Sequence, residues 1–331
     1  MTSFSHQRVA IVLPAYNEEQ TVAATMAGFH AQLPTADIIV INNNSKDDTR
    51  AVAESTLLEL GARGRVLDEP RAGKGNAVRR AFLEVEADIY ILADADQTYP
   101  PERVHDLMRP ILENRADMVV GDRHSDGHYA RENSRALHGF GNRLVQALVN
   151  WLFRSQLVDI MSGYRAFNKL FVKNYPILVE GFQIETDMTL HALHKRFRIV
   201  EIAVEYRDRP AGSVSKLNTF SDGARVLFTI AQILRYYRPL AFFGTLSALF
   251  VFAGLVCALP VFDDWIRHQY IYHVPLAILA SALEIVAIML LGIGLMLDSI
   301  VHQQCMEYER HLANNYSRFG TGVAGSSKDD S

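Results

Sequence analysis

The sequence predicts an α/β protein with a largely parallel sheet, followed by a helical region that engages a membrane. Three observations predict it. Short apolar runs alternate with helix-forming stretches through the first half of the chain, two carboxylates close one of those runs at Asp94-Ala95-Asp96, and two long apolar segments occupy the last third. Strands that alternate with helices put their C-terminal ends on one edge of a parallel sheet, and ligands bind at that edge.

Taken in order, Arg8 to Pro14 is an apolar strand that runs into Ala15-Tyr16-Asn17-Glu18-Glu19, with a helix following to about Ala31. Asp37 to Ile41 is the second strand, and Ser45 with Asp48 has the spacing of a capping box for a helix to about Leu60. A weak third strand, Arg65 to Leu67, leads to Arg71-Ala72-Gly73-Lys74-Gly75-Asn76 and a helix to about Val85. This glycine pair lacks the third glycine of a dinucleotide fold, and Lys74 is not followed by the Ser or Thr of a P-loop. Two readings stay open there: a flexible turn, or backbone amides and Lys74 set beside a nucleotide or diphosphate.

The run Ile89-Tyr90-Ile91-Leu92-Ala93 is a buried strand that delivers Asp94 and Asp96 to the sheet rim, and Pro100-Pro101 stops the extension. Two acids one residue apart repel each other, so they are solvated, cap the helix Pro101 to Asn114, or share a hard divalent cation. Asp117 to Gly121 is a further strand, ending at Asp122-Arg123. Leu137, Phe140, Leu144, Leu148 and Trp151 recur at helical spacing from Arg135 to Phe153. A helix is expected over Met188 to Phe197 and a strand over Ile199 to Tyr206. Asp187, His191 and His194 share a helical face, which reads as surface rather than as a zinc site because no fourth ligand is in view.

At 331 residues with a net charge of −4, the chain can bury a sizeable core and is not a general nucleic-acid binder, which would be basic. Its two cysteines, Cys257 and Cys305, form no disulfide framework and fit a reducing compartment, and Met1 to Gln7 carries no secretory pattern. Leu240 to Phe262 holds no charged residue, and roughly 23 residues at 1.5 Å rise cover about 35 Å, enough to cross a bilayer core. Val274 to Leu297 is interrupted only by Glu284, expected to hydrogen-bond the partner helix. The intervening loop has one basic residue, Arg267, whereas Arg225, Arg235 and Arg238 precede the first span and Arg310 and Arg318 follow the second. Both flanks are therefore expected on the cytoplasmic side. Phe220 to Tyr237 keeps Ser221, Arg225, Thr229, Gln232 and Arg235 to one stripe, which its place before a span reads as an interfacial helix; an ordinary core-packing helix has the same periodicity.

Pro14-Ala15-Tyr16-Asn17-Glu18, Asp94-Ala95-Asp96, Ser162-Gly163-Tyr164-Arg165 and Gly212-Ser213-Val214-Ser215-Lys216-Leu217, in this order and ahead of a membrane hairpin, resemble glycosyltransferase family 2. Within it the chain is similar to the dolichyl- and polyprenyl-phosphate glycosyltransferases. The resemblance implies a GT-A fold, a Rossmann-like mixed sheet, over residues 1–217. It implies a juxtamembrane helix over 218–238, a transmembrane hairpin over 239–302 and a cytoplasmic tail over 303–331. It implies that Pro14, Tyr16 and Glu18 hold the base and ribose of a nucleotide-diphosphate sugar, with Asn42 standing where an aspartate usually contacts the base. Asp94 and Asp96 would bind magnesium or manganese on the donor diphosphate, and Arg123 and Arg135 the phosphate of a polyprenyl lipid. Arg209 to Lys216 would form a loop near that acceptor. Gln97-Thr98 replaces the family's Leu-Gln, which bears on a third metal ligand, and Asp122 replaces a frequent serine.

A lipid phosphate is already ionised at pH 7, its second pKa being about 6, so it needs cations rather than a base. Arg123 and Arg135 suit bidentate phosphate contact, with Lys216 as a point charge. A hydroxyl acceptor would instead require a carboxylate base, for which Glu185 and Asp187 are the candidates. The Asn42 amide offers one acceptor oxygen, enough for the single imino donor of uracil, so UDP is favoured over GDP. Two rival readings stand beside this one. Gln232-Ile233-Leu234-Arg235-Tyr236 approaches the Gln-x-x-Arg-Trp motif of processive polysaccharide synthases, but Tyr replaces Trp. A catalytically silent nucleotide-binding scaffold would have no need of both aspartates. Nothing in the sequence opposes a homo-oligomer.

Overall fold

The apolar runs become the strands of one seven-stranded sheet. The computed structural model describes residues 7–124, 136–180, 183–207 and 222–319. The chain divides into two compact units, Met1–Phe220 with Asn314–Ser331, and Ser221–Ala313.

In the first unit the strands are β1 (Val9–Ala15), β2 (Asp37–Asn42), β3 (Gly64–Asp68), β4 (Ile89–Leu92), β5 (Met118–Asp122), β6 (Arg165–Asn168) and β7 (Ile199–Ala203), in the order β3-β2-β1-β4-β6-β5-β7. β3, β2, β1 and β4 are mutually parallel and β5 is parallel to β7, whereas β6 runs antiparallel to both β4 and β5. The sheet is therefore mixed, as in GT-A folds. β6 is absent from the reading of local patterns, because four residues carry too little periodicity to announce a strand. Its direction matters for function. Since β6 enters where its neighbours leave, the residues just before it, Ser162-Gly163-Tyr164, share an edge with those that follow β1, β2, β4 and β5.

Helices α1 (Val22–Gln32), α2 (Thr49–Leu60), α3 (Lys74–Glu84) and α4 (Val104–Leu112) follow the first strands, and a single 3-10 turn, Pro101–Arg103, precedes α4. The expected capping box at Ser45 and Asp48 does not form. Ser45 Oγ instead accepts from Asn17 N at 3.0 Å, and Asp47 Oδ1 takes the start of α2 by accepting from Thr49 N at 3.1 Å. Later come α5 (Ala136–Phe153), α6 (Lys169–Asn174) and α7 (Ile184–His194). The last begins four residues ahead of the expected Met188, so Glu185 and Asp187 lie in its first turn, where carboxylates complement the helix dipole. The core is apolar on both faces of the central strands: Ile11, Leu13, Ile38 and Ile91 on one face and Val12, Tyr90, Leu92 and Met118 on the other are fully buried.

The second unit holds α8 (Asp222–Tyr237), α9 (Pro239–His268) and α10 (Val274–Phe319). α9 and α10 are long and apolar enough to cross a membrane. They turn Phe252, Leu259, Phe262, Ile278, Ile288 and Met296 outward, a surface that water would penalise and lipid would not. α10 continues past the apolar stretch to Phe319. The expected interhelical hydrogen bond of Glu284 is not formed by its Oε1, which is buried without a partner against Gly254. Ser247 supplies such a bond instead, donating to Ala287 O at 2.7 Å. At the turn, Asp264 accepts from the backbone amides of Tyr272 and His273 at 2.8 and 2.9 Å.

Candidate active site

The loops after β1, β2, β3, β4 and β5 and the turn before β6 meet at the shared sheet edge, and hydrogen bonds between side chains and backbone tie neighbouring loops together. After β1, Asn17 takes a positive φ of 52°, and its Oδ1 accepts from Lys46 N at 2.8 Å in the loop after β2. Glu18 N donates to Thr49 Oγ1 at 2.8 Å, while Glu18 Oε2 accepts from Thr21 Oγ1 at 2.9 Å. Pro14 is half-buried beside this loop and Tyr16 is exposed, so a flat ring is presented to solvent. Asn42 is held by its neighbours, donating to Asp68 Oδ1 at 2.9 Å and accepting from Ser45 N at 3.4 Å. The adjacent Asn43, which local reasoning did not single out, organises the loop after β3. It donates to Glu69 O and Arg71 O and accepts from Gly73 N at 2.9 Å.

At the end of β4, Asp96 is buried, with Oδ1 accepting from Thr98 Oγ1 at 2.6 Å and Thr98 N at 3.2 Å. Asp94 is more open and forms an ion pair with Lys74 at 2.5 Å. Lys74 is itself buried and also pairs with Glu185 at 2.5 Å. Desolvation alone would lower the Lys74 pKa, but the charges of Asp94 and Glu185 outweigh it and hold the ammonium well above its ordinary value. Gly73, at a φ of 122°, and Gly75 bring this lysine in. A Cβ on Gly75 would stand 1.9 Å from Val179 O, so only glycine fits. The flexible-turn reading of this segment is thereby replaced by a rigid one.

Gly163 is the floor of the same site. Its N–H donates to Tyr99 Oη at 2.8 Å, and a Cβ there would lie 2.9 Å from Asp94 Oδ2 and 3.0 Å from Lys74 Nζ. Gly163→Ala is expected to push the Lys74–Asp94 pair aside and to lower transfer at least about tenfold with little loss of thermal stability, since the displaced atoms are side-chain ends. Turnover and melting temperature measured together check it. Arg165, the last residue of this motif, is fully buried and staples the turn by donating to Ser162 O, Ile160 O and Thr189 Oγ1.

At the end of β5, Arg123 grips buried Asp159 with two hydrogen bonds, Nε to Oδ2 at 2.7 Å and Nη2 to Oδ1 at 3.0 Å. Burial acts to raise the Asp159 pKa, and Arg123 more than offsets it, holding the carboxyl below its ordinary value. The guanidinium also lies 5.5 Å from the centre of the Tyr206 ring. Nothing local in the sequence coupled positions 123 and 159. Arg135, Arg209 and Lys216 lie outside the described residues.

The two candidate bases diverge. Glu185 is committed to Lys74, whereas Asp187 accepts from Tyr175 Oη at 2.6 Å, and burial raises its pKa. His191, expected on the surface, is buried among Phe171, Tyr175 and Phe197. Burial, aided by Lys195 and His194, lowers its pKa to about 3. The folded state thus keeps this imidazole neutral. Its contribution to stability is complete above about pH 6.5 and declines by about 1.4 kcal/mol per pH unit as pH falls toward 3. His191→Phe is expected to flatten the acid side of a plot of melting temperature against pH.

Among the described residues no group of three or more His, Cys, Asp or Glu converges as a metal site. Asp94 and Asp96, oxygen donors one residue apart at the sheet rim, would nevertheless suit a hard divalent cation, which would supply positive charge there.

Comparison with known proteins agrees with this fold. Glycosyltransferase AglJ of Haloferax volcanii is 29% identical over 305 residues, covering 90% of this chain and 96% of its own. The dolichyl-phosphate hexose transferase of the same organism is 26% identical over 70% of this chain and 96% of its own. Polyprenol monophosphomannose synthase of Mycolicibacterium smegmatis is 25% identical over 68% and 86%. The crystal structure of Mycobacterium tuberculosis glucosyl-3-phosphoglycerate synthase with Mn2+, UDP and phosphoglyceric acid shares the fold, with a TM-score of 0.53 at 22% identity over 69% of this chain and 78% of that one. The family model described as "Glycosyl transferase family 2" matches residues 10–175, and the chain, with the mixed GT-A sheet and the acidic pair at its rim, belongs to that family.

Proposed function

We propose that this enzyme transfers a hexose-type sugar from a nucleotide diphosphate to a polyprenyl phosphate, dolichyl or undecaprenyl, at the cytoplasmic face of a membrane, with inversion at the anomeric carbon. The observation that carries the reading is the charge gathered at one sheet edge: Asp94 and Asp96 after β4, with Lys74 paired to Asp94, and Arg123 after β5, paired to Asp159 and 5.5 Å from the centre of the Tyr206 ring. Relatives named as dolichyl- and polyprenyl-phosphate sugar transferases, and the two apolar helices, support the lipid acceptor.

In this reading Pro14, Tyr16, Glu18 and Asn42 hold the base and ribose, and UDP is the favoured nucleotide. Asp94 and Asp96 hold magnesium or manganese, which when bound supplies Lewis-acid neutralisation of the leaving diphosphate. Lys74 faces the same diphosphate. Arg123 and Arg135, with Arg209 and Lys216, hold the lipid phosphate dianion and offset its repulsion from the donor. No base is required, because the nucleophile is already an anion. The commitment of Glu185 to Lys74 and of Asp187 to Tyr175 weighs against a hydroxyl acceptor. Residues 1–217 form the catalytic domain, 218–238 an interfacial helix, 239–302 the membrane hairpin and 303–331 a cytoplasmic tail.

The test is to incubate membranes containing the protein with labelled nucleotide sugars and polyprenyl phosphate. Label entering the organic phase from a UDP-sugar is the expected result, and label appearing only in water-soluble or polymeric product would overturn it. UDP is expected to be the stronger product inhibitor; better inhibition by GDP would reverse the nucleotide assignment alone.

A further inference from the structure

Lys74 stands between carboxylates from different parts of the fold. Asp94 closes β4, Glu185 belongs to the first turn of α7, and each sets an oxygen 2.5 Å from Nζ. Lys74 and Glu185 side chains are each 7% exposed, whereas that of Asp94 is 30% exposed. The residue after the lysine is held through its backbone: Gly75 N donates to Glu180 O at 2.9 Å, and a Cβ on Gly75 would stand 1.9 Å from Val179 O.

The charge count gives the arrangement its consequence. An ammonium facing Asp94 alone would cancel the carboxylate that a divalent cation needs, because two cations compete for one anion. With Glu185 on its other side, one positive charge faces two negative ones, and Asp94 retains net attraction for a cation arriving from its open side. A structural ion pair would require only one acid.

We propose that Glu185 is a positioning residue: it shares the Lys74 ammonium with Asp94, so that the Asp94 carboxylate keeps net negative charge for a divalent cation while the lysine ammonium serves the donor diphosphate. This rests on the proposed function above for the identity of the donor, and it gives Glu185 a task other than that of a base.

The experiment is a double-mutant cycle on the full-length protein in detergent, with Mn2+ alone as the probe and its free concentration read by electron paramagnetic resonance. Glu185→Gln is expected to weaken Mn2+ binding about tenfold by leaving the whole Lys74 charge to Asp94. Lys74→Gln is expected to tighten it, because the competing cation is gone. In the Lys74→Gln background, Glu185→Gln should change the affinity by less than about twofold, the coupling expected of two residues in contact. Glu185→Asp, which keeps the charge but shortens its reach, should fall between wild type and Glu185→Gln.

An equal loss in both backgrounds overturns the proposal, since Glu185 would then act on the metal by its own charge or on folding. Unchanged Mn2+ affinity with transfer abolished overturns it too and restores the base. Wild type that binds Mn2+ but shows no coupling sinks this inference alone, whereas wild type that binds no Mn2+ removes the metal reading of Asp94 and Asp96 with it.

Discussion

Asp96→Asn is expected to lower sugar transfer by about 10²- to 10³-fold while leaving the fold intact, a loss of the size seen when one charge-stabilising group at a leaving oxygen is removed. The substitution is conservative in shape. The amide oxygen can still accept from Thr98 Oγ1 and Thr98 N, which hold Asp96 Oδ1 at 2.6 and 3.2 Å, while the charge is deleted. Asp94→Asn should cost as much in transfer and more in local order, because it also strips Lys74 of one of its two acids. Initial rates with a UDP-sugar and polyprenyl phosphate, set beside melting curves, check both. Asp96→Asn turning over at the wild-type rate would remove the metal from the mechanism.

The second large effect is at Arg123, where function and stability must be separated. Arg123→Ala deletes the proposed contact to the lipid phosphate, but it also leaves Asp159 buried and ionised without its partner. Breaking a buried pair from one side costs on the order of 3 to 5 kcal/mol. The single variant is therefore expected to be both inactive and strongly destabilised. Arg123→Ala with Asp159→Asn removes the orphaned charge, and it should recover much of the melting temperature without recovering transfer. Nucleotide binding in the presence of Mn2+ should survive in the double variant. If transfer returns with stability, Arg123 is a structural residue and the acceptor phosphate is held elsewhere.

The same pair shows an acid limit. The Asp159 pKa is lowered in the folded state, so its contribution is present above the ordinary carboxylate range and is lost as pH falls through the depressed value. Buried His191 adds loss from a higher starting point, below about pH 6.5. Acid should therefore unfold the protein in two overlapping stages, the first removed by His191→Phe.

Much of this was written along the chain. The strands at Val9–Ala15, Asp37–Asn42 and Ile89–Leu92 are apolar runs whose ends carry the recognisable residues, because a buried parallel strand must be hydrophobic throughout and must release its polar groups at one rim. Asp94 and Asp96 were legible for that reason, and the two apolar helices because about 20 residues without charge have few other uses. The sequence by itself determined which residues reach the edge of the sheet and that a lipid-compatible hairpin follows.

Only the tertiary structure decided which of those residues meet. β6 spans four residues, too short for any period, yet its antiparallel course carries Gly163 beneath Asp94 and Lys74. Glu185 and Asp187 are two apart on one helix and look interchangeable in the sequence, but the turn of α7 sends one to Lys74 and the other to Tyr175. Asp159 meets Arg123 across 36 positions of chain. Contacts of this kind depend on strand direction and on where a helix is rotated, and those follow from the packing of the whole core rather than from any local pattern of residues.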